Sequence, residues 1–132
     1  MLSDKPTYTT IPVSDLARGR QFYEETLGLR PAMVTEGGVM YGSGGSQFFV
    51  YPSRFRAAGH TQMSWRVPDI RAEVAELKAR GITFEEYDIP GVEMVDGIAH
   101  SGPEVWTAWF KDPDSNLLGL TQIGQAQGGQ LK

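Results

Sequence analysis

Two stretches of this chain follow one plan, and that repetition limits the folds open to it more than any other feature. Tyr8 to Leu29 reads YTTIPVSDLARGRQFYEETLGL, and Gln62 to Ile82 reads QMSWRVPDIRAEVAELKARGI. In the first, Ile11 and Val13 alternate with Tyr8, Thr10 and Pro12 at the period of a strand, and Ser14-Asp15 offers a helix cap. Leu16, Arg20, Phe22, Tyr23 and Leu27 then recur at three- and four-residue spacing, and Gly28 supplies the left-handed residue that ends a helix. In the second, Met63, Trp65 and Val67 alternate, Asp69 caps, Val74, Ala75 and Leu77 form the apolar stripe, and Gly81 closes it. The distance from Asp15 to Gly28 is 13 residues and from Asp69 to Gly81 it is 12, which points to an internal duplication.

A chain of 132 residues with 40% apolar residues is sized for a single domain with a real core. The formal charge of −4 and the scatter of the 12 basic residues argue against a nucleic-acid surface, because counterion release needs clustered Lys and Arg. No cysteine is present, so disulfides and thiolate chemistry are excluded. With no apolar run long enough to span a bilayer and no basic-then-apolar start, the expectation is a soluble, cytoplasmic protein without membrane contact.

In chain order, residues 1–6 read as a polar lead-in that frays. Strands are expected over 30–35 and 38–41, joined at Glu36-Gly37-Gly38, and over 47–51, ended by Pro52. Module 1 thus covers about residues 7–52. Residues 53–60, carrying Arg54, Arg56 and His60, form a linker, and module 2 covers about 61–122. The strand-helix units are offset by 54 residues, whereas the closing strands, Gln47-Phe48-Phe49 and Asn116-Leu117-Leu118, are offset by 69. About 15 extra residues therefore lie between an expected strand over 82–87 and another over 105–111, at about 88–103, DIPGVEMVDGIAHSGP. Met94, Val95, Ile98 and His100 make that segment too apolar for disorder, and it is read as covering a cavity, with a purely packed excursion as the other reading.

IPVSDLARGRQFYEETLGL, RVPDIRAEVAELKARGI and FKDPDSNLLGLTQ, in that order, resemble the vicinal oxygen chelate superfamily, the glyoxalase, bleomycin-resistance and extradiol-dioxygenase group. The resemblance runs from Thr7 to Gln122. It implies an α+β fold of two tandem βαβββ modules whose mixed sheet curls into a cup, with helices outside, and a homodimer. One departure is Ser115, where the family often has Gly; a left-handed backbone there costs Ser about 1 kcal/mol.

Metal-dependent relatives carry a His near the start of each module's first strand and a Glu on each module's last strand, donors suited to divalent first-row metals. The matching positions here are Tyr8, Gln62, Val50 and Gly119, of which only Gln62 is a reasonable donor. Shifting the register by one residue restores no His and carboxylate set, so no metal and no other cofactor are expected. A site built from His60 and His100 with Glu85, Glu86, Asp88 and Glu93 lacks ligand spacing.

Alternation places Tyr8 and Thr10, and Gln62, Ser64 and Arg66, on the inward face, with Phe48 and Val50 assigned there too, and Gly119 leaving room for a ligand. Trp106 and Trp109, three apart, fall on opposite faces of a regular strand, so one reaches the cavity; a core role for both is the other reading. With Met94 in the covering segment, these residues describe a mostly apolar hollow with a few polar groups, suited to a small organic molecule. Glu86, Asp88 and His100 are the candidate proton-transfer groups and Arg66 a candidate anion clamp, each weighed against an ordinary rim or loop role. Two functions follow. One is a metal-free protein that sequesters or carries a hydrophobic or aromatic small molecule; the other is a metal-independent isomerase or lyase in which Tyr8 or Gln62 orients the substrate.

Overall fold

The computed structural model describes residues 1–55 and 59–124. Residues 56–58 of the expected linker, Arg56 among them, lie outside the described residues. The fold is α+β, built from a four-stranded and a five-stranded mixed sheet with few helices. No described helix is long and apolar enough to cross a membrane. The chain divides into two compact units, Met1–His60 with Asp112–Asn116, and Thr61–Lys111 with the strand that begins at Leu117.

The first unit holds β1 (Thr9–Val13), α1 (Leu16–Arg20), β2 (Arg30–Thr35), β3 (Gly38–Ser43) and β4 (Ser46–Pro52), preceded by a 3-10 turn at Leu2–Asp4. Its sheet order is β1-β4-β3-β2, with β1 parallel to β4 and the rest antiparallel. The Asp15 side chain caps α1 by accepting from Arg18 N at 3.2 Å. The helix expected to continue to Leu27 changes hand-hold after one and a half turns. Gln21–Thr26 is π-helical, and Leu27 N donates to Phe22 O at 3.0 Å, one residue beyond the α pattern. Gly19 packs against Val13, where an added Cβ sits 3.3 Å from both methyl groups. The core of this unit is Ile11, Val13, Tyr23, Val39, Tyr41, Phe48 and Val50, all buried. Tyr23, Tyr41 and Phe48 form a ring cluster with centroid separations of 5.4 to 5.8 Å.

Both buried tyrosine hydroxyls reach carboxyl groups. Tyr41 Oη donates to Glu24 Oε2 at 2.8 Å, and Arg20 Nε donates to the same oxygen at 2.7 Å. Tyr23 Oη donates to Asp112 Oδ2 at 2.8 Å. Asp112 also organises its own loop, its Oδ1 accepting from the backbone N–H of Asp114 and Asn116 at 2.9 Å each. Asn116 Nδ2 bridges Asp112 Oδ2 and Pro12 O, and Asp114 Oδ1 accepts from Ser14 N. DPDSN is therefore held to the end of β1 and the start of α1 by buried polar contacts that satisfy backbone groups on both sides. Ser115 has φ 66°, the left-handed value that the missing glycine led one to expect.

The second unit holds β5 (Thr61–Arg66), α2 (Ile70–Ala79), β6 (Glu93–Val95), β7 (Ile98–Gly102), β8 (Val105–Lys111) and β9 (Leu117–Ile123), in sheet order β5-β9-β8-β7-β6. Asp69 caps α2 through Ala72 N, and Gln122 Oε1 accepts from Ile70 N at 2.9 Å, satisfying a second orphan donor of the first turn. Val67, Ile70, Val74, Ala108, Phe110, Leu118 and Leu120 are buried on this side of the sheet, with Trp65 stacked over Phe110 at 6.2 Å.

Two expectations are corrected here. The strand over 82–87 shrinks to one bridge, Phe84 with Phe110, followed by Glu85 N donating to Trp109 O. The extra segment is not a cover: its second half is an edge hairpin, β6 and β7, continuing the sheet from β8. Asp96 and Gly97 make its two-residue turn with φ 54° and 82°, the double positive φ of a type I′ connection. Gly97 is required twice over, since an added Cβ meets Phe84 Cβ at 2.9 Å.

Ser115→Gly is expected to stabilise the protein by about 0.5–1 kcal/mol by removing the left-handed strain of an exposed serine, measured as a rise in the urea midpoint with an unchanged slope. Acid sensitivity follows from two carboxyls held below their ordinary range. For Glu24 the main cause is the Arg20 hydrogen bond, opposed by burial and aided by Tyr41; for Asp114 burial acts upward but is outweighed by hydrogen bonds from Ser14 and Arg18. The unfolded chain therefore takes up protons first as pH falls. The stability these groups contribute is full above about pH 4.5 and is lost as pH drops through their folded values. Glu24→Gln and Asp114→Asn are each expected to flatten the acid limb of a stability-against-pH curve, and an unchanged limb in both contradicts this assignment.

Candidate functional site

Strand pairing sorts the candidate residues onto faces, because partners in a register share a face and neighbours alternate. In the second unit Trp109 pairs with Gly119, and Gly119 with Ser64; Thr107 pairs with Thr121, and Thr121 with Arg66. Met94 pairs with Ala99, and Ala99 with Thr107. Ser64, Arg66, Met94, Trp109 and Gly119 are thus brought to one face, the one turned away from α2. Gln62 lies at the register shift between Thr61 and Met63 and is half-buried.

Trp109 dominates this face. It is half-buried, and Tyr87 meets it edge to face with centroids 5.4 Å apart. Tyr87 is in turn held by its backbone N–H, which donates to Met94 Sδ at 3.3 Å. Tyr87 is a residue of this face that sequence periodicity does not single out. Its position depends on the segment after the Phe84 bridge, which reads as a strand from the sequence and is irregular in the structure.

The opposite face takes the other candidates. Trp106 pairs with His100, and their rings stack at 4.6 Å with 6° between planes. His100 Nε2 is buried without a hydrogen-bond partner among the described residues. Of the two tryptophans, therefore, Trp109 is on the open face. Glu86 and Asp88 are exposed; Glu86 borders a shallow cleft of about 310 Å³ with Lys78, Phe84 and Asp96. His100, stacked on Trp106, and Glu86, beside Lys78, are not brought to the face that carries Trp109.

In the first unit Tyr8 is exposed and Thr10 lies on the face opposite Ile11. Phe48 and Val50 require a correction: they pair with Thr9 and Ile11 and are buried at 2% and 0% exposure, so they belong to the core with Tyr23 and Tyr41. The open-face residues of β4 are Phe49 and Tyr51, whose rings stack at 6.1 Å. Gly119 needs a correction as well. The space above it is filled by Ser64, whose Oγ lies 2.6 Å from an added Cβ. The glycine admits a neighbouring side chain, not a ligand.

These two sheets, each with a helix on one face and an open face opposite, define a recognisable class. Residues 5–120 match the Glyoxalase/Bleomycin resistance protein/Dioxygenase superfamily, and the chain belongs to it. Similar solved structures include TnmS3, an antibiotic binding protein from a Streptomyces species, with 23% identity, a TM-score of 0.70, and coverage of 94% of this chain and 99% of that one. A glyoxalase/bleomycin resistance protein/dioxygenase from Alicyclobacillus acidocaldarius aligns with 20% identity and a TM-score of 0.67 over 91% and 92% of the two chains. A glyoxalase family protein from Enterococcus faecalis gives 20% identity and 0.67 over 92% and 99%. No curated protein matches the sequence.

The family's metal does not fit the residues present at the matching positions. Val50 is in the core, Gly119 has no side chain, Tyr8 is a phenol and Gln62 an amide. A divalent ion needs charged or imidazole donors that converge, and no group of three or more His, Asp or Glu does so among the described residues.

Gly119→Ala is expected to destabilise the fold by about 1–3 kcal/mol by forcing Ser64 from its rotamer. Ser64→Ala in the same chain is expected to relieve most of that loss, because the Ser64 Cβ is an ordinary 3.6 Å away. Additive effects in this cycle contradict the contact.

Proposed function

We propose that the chain is a binding protein that sequesters or carries a small hydrophobic or aromatic molecule without a metal. The ligand lies on the open face of the second sheet, with its ring against Trp109. One observation carries this: a large indole, packed against Tyr87, stands beside the small polar side chains of Ser64, Thr107 and Thr121 on one face of the sheet. A braced aromatic loses little side-chain freedom on binding and offers a flat apolar surface. The alternative enzyme draws no comparable support, since two of its proton-transfer candidates, Glu86 and His100, lie off the face that carries Trp109. That a similar structure is an antibiotic binding protein agrees with the carrier reading.

A second copy of the chain is the proposed protein partner. All six residues of the edge strand β2 are exposed, Met33 and Val34 at 61% and 56%. An antiparallel contact with its two-fold axis at Met33 sets Arg30 of one copy against Glu36 of the other, which favours self-association over an unrelated partner.

Titration with 2-naphthol, followed by quenching of tryptophan emission, is expected to saturate with a Kd in the micromolar range. Trp109→Ala is expected to weaken binding at least tenfold, and Trp106→Ala less than twofold. Excess chelator is expected to leave the curve unchanged. Equal losses in the two variants, or binding abolished by chelator, contradict the proposal.

A further inference from the structure

Resting on that binding site, we infer a narrower ligand class: fused aromatic molecules that carry a ring hydroxyl, with that hydroxyl held between Thr107 and Thr121. The inference comes from a pair of side chains that the fold places together and leaves without a protein partner. Thr107 of β8 and Thr121 of β9 are register partners on the face that carries Trp109, and both are half-buried. Threonines set directly opposite on antiparallel strands are within reach of a mutual hydrogen bond. Here neither hydroxyl has a hydrogen-bond partner among the described residues. Thr35, by contrast, donates its hydroxyl to Gly38 O at 3.1 Å. Two neighbouring hydroxyls, each able to donate and to accept, complement a single ligand hydroxyl that does both. Both threonines are β-branched, so their hydroxyls are confined to few rotamers and lose little freedom when a ligand binds.

Geometry ties the pair to the indole. Thr107 lies two residues along β8 from Trp109, a separation of about 7 Å, and Thr121 lies about 5 Å across from it on β9. A two-ring system laid on the indole with its long axis along the strand brings a hydroxyl at its far end to the pair, and a single ring centred on the indole stops short of it. Tyr87 leaves that path open. It comes from the other edge of β8, where Phe84 bridges Phe110 and Glu85 N donates to Trp109 O at 2.8 Å, while β9 occupies the first edge from Val105 to Lys111. A ligand on Trp109 is thus flanked by the Tyr87 ring on one side and meets the threonine hydroxyls toward β9.

The test compares two probes of one shape, 2-naphthol and 2-methylnaphthalene, by equilibrium dialysis at pH 7.5, where the naphthol is neutral. The naphthol is expected to bind at least fivefold tighter than its methyl analogue, the gain from two neutral hydrogen bonds. Thr107→Val combined with Thr121→Val puts a methyl in place of each hydroxyl and is expected to remove that preference, each single variant removing part of it. Thr107→Ser combined with Thr121→Ser restores the hydroxyls and is expected to recover most of the preference. A methyl analogue that binds the unaltered chain as tightly as the naphthol overturns the hydroxyl class while leaving the Trp109 site intact. A preference unchanged in the valine variants, single and double, with the thermal midpoint preserved, overturns the role of the threonine pair, and so does a preference lost equally with serine. Failure of both probes to bind overturns the binding site itself and this inference with it.

Discussion

The pairing of β8 with β9 is the constraint on which the candidate site rests. Seven consecutive pairs, from Val105 with Ile123 to Lys111 with Leu117, fix which side chains of β8 face α2 and which face away. Phe110 and Ala108 go to the core at 0% exposure, and Trp109 and Thr107 go to the open face. A slip of one residue exchanges these sets, moving the Trp109 indole into a core where Phe110 is stacked with Trp65 and meets Phe84 edge to face. The register is therefore enforced by packing on the hidden side. The chemistry on the exposed side is free to vary without endangering the fold, which is how one superfamily scaffold carries binding proteins and enzymes alike.

The first unit solves a different problem, that of polar groups within its core. Its three clustered rings include two tyrosines, and each hydroxyl finds a carboxyl oxygen at 2.8 Å. Burial drives the Tyr23 phenol far above its usual range, with the Asp112 charge adding to the effect, so it remains a neutral donor at any physiological pH. Asp112 ties that donor to the backbone of its own turn, and Asn116 continues the connection to Pro12. Buried polar atoms at this density are tolerable because nearly all have partners. Glu24, Asp112 and Asp114 are thus engaged in structure.

Much of this was legible in the residues. The duplicated strand-helix plan, the caps Asp15 and Asp69, the opposite faces of Trp106 and Trp109, and the left-handed Ser115 all follow from local rules of period and backbone conformation. The failures share one cause, dependence on a partner strand. Alternation fixes that Phe48 and Val50 share a face and not which face that is; the parallel register with Thr9 and Ile11 decides it. Gly119 looks like vacant space until Ser64 is placed beside it. The hairpin in the added segment is marked in the residues, since Asp96-Gly97 between Met94-Val95 and Ile98-Ala99 is a strong two-residue turn signal. Tyr87 was beyond reach, because its contact with Trp109 depends on how an irregular stretch leaves the Phe84 bridge.

The account's central claim is that ligand meets the protein on the open side of β8, at Trp109. Nitrogen-labelled protein titrated with a bicyclic aromatic ligand tests it most directly, since both indole N–H groups on β8 report separately from opposite faces. The account predicts large shifts for the Trp109 indole and for the amides of Ser64, Thr107 and Thr121, with the Trp106 indole still. Shifts centred on Trp106 and His100, or none on β8 at saturation, contradict it.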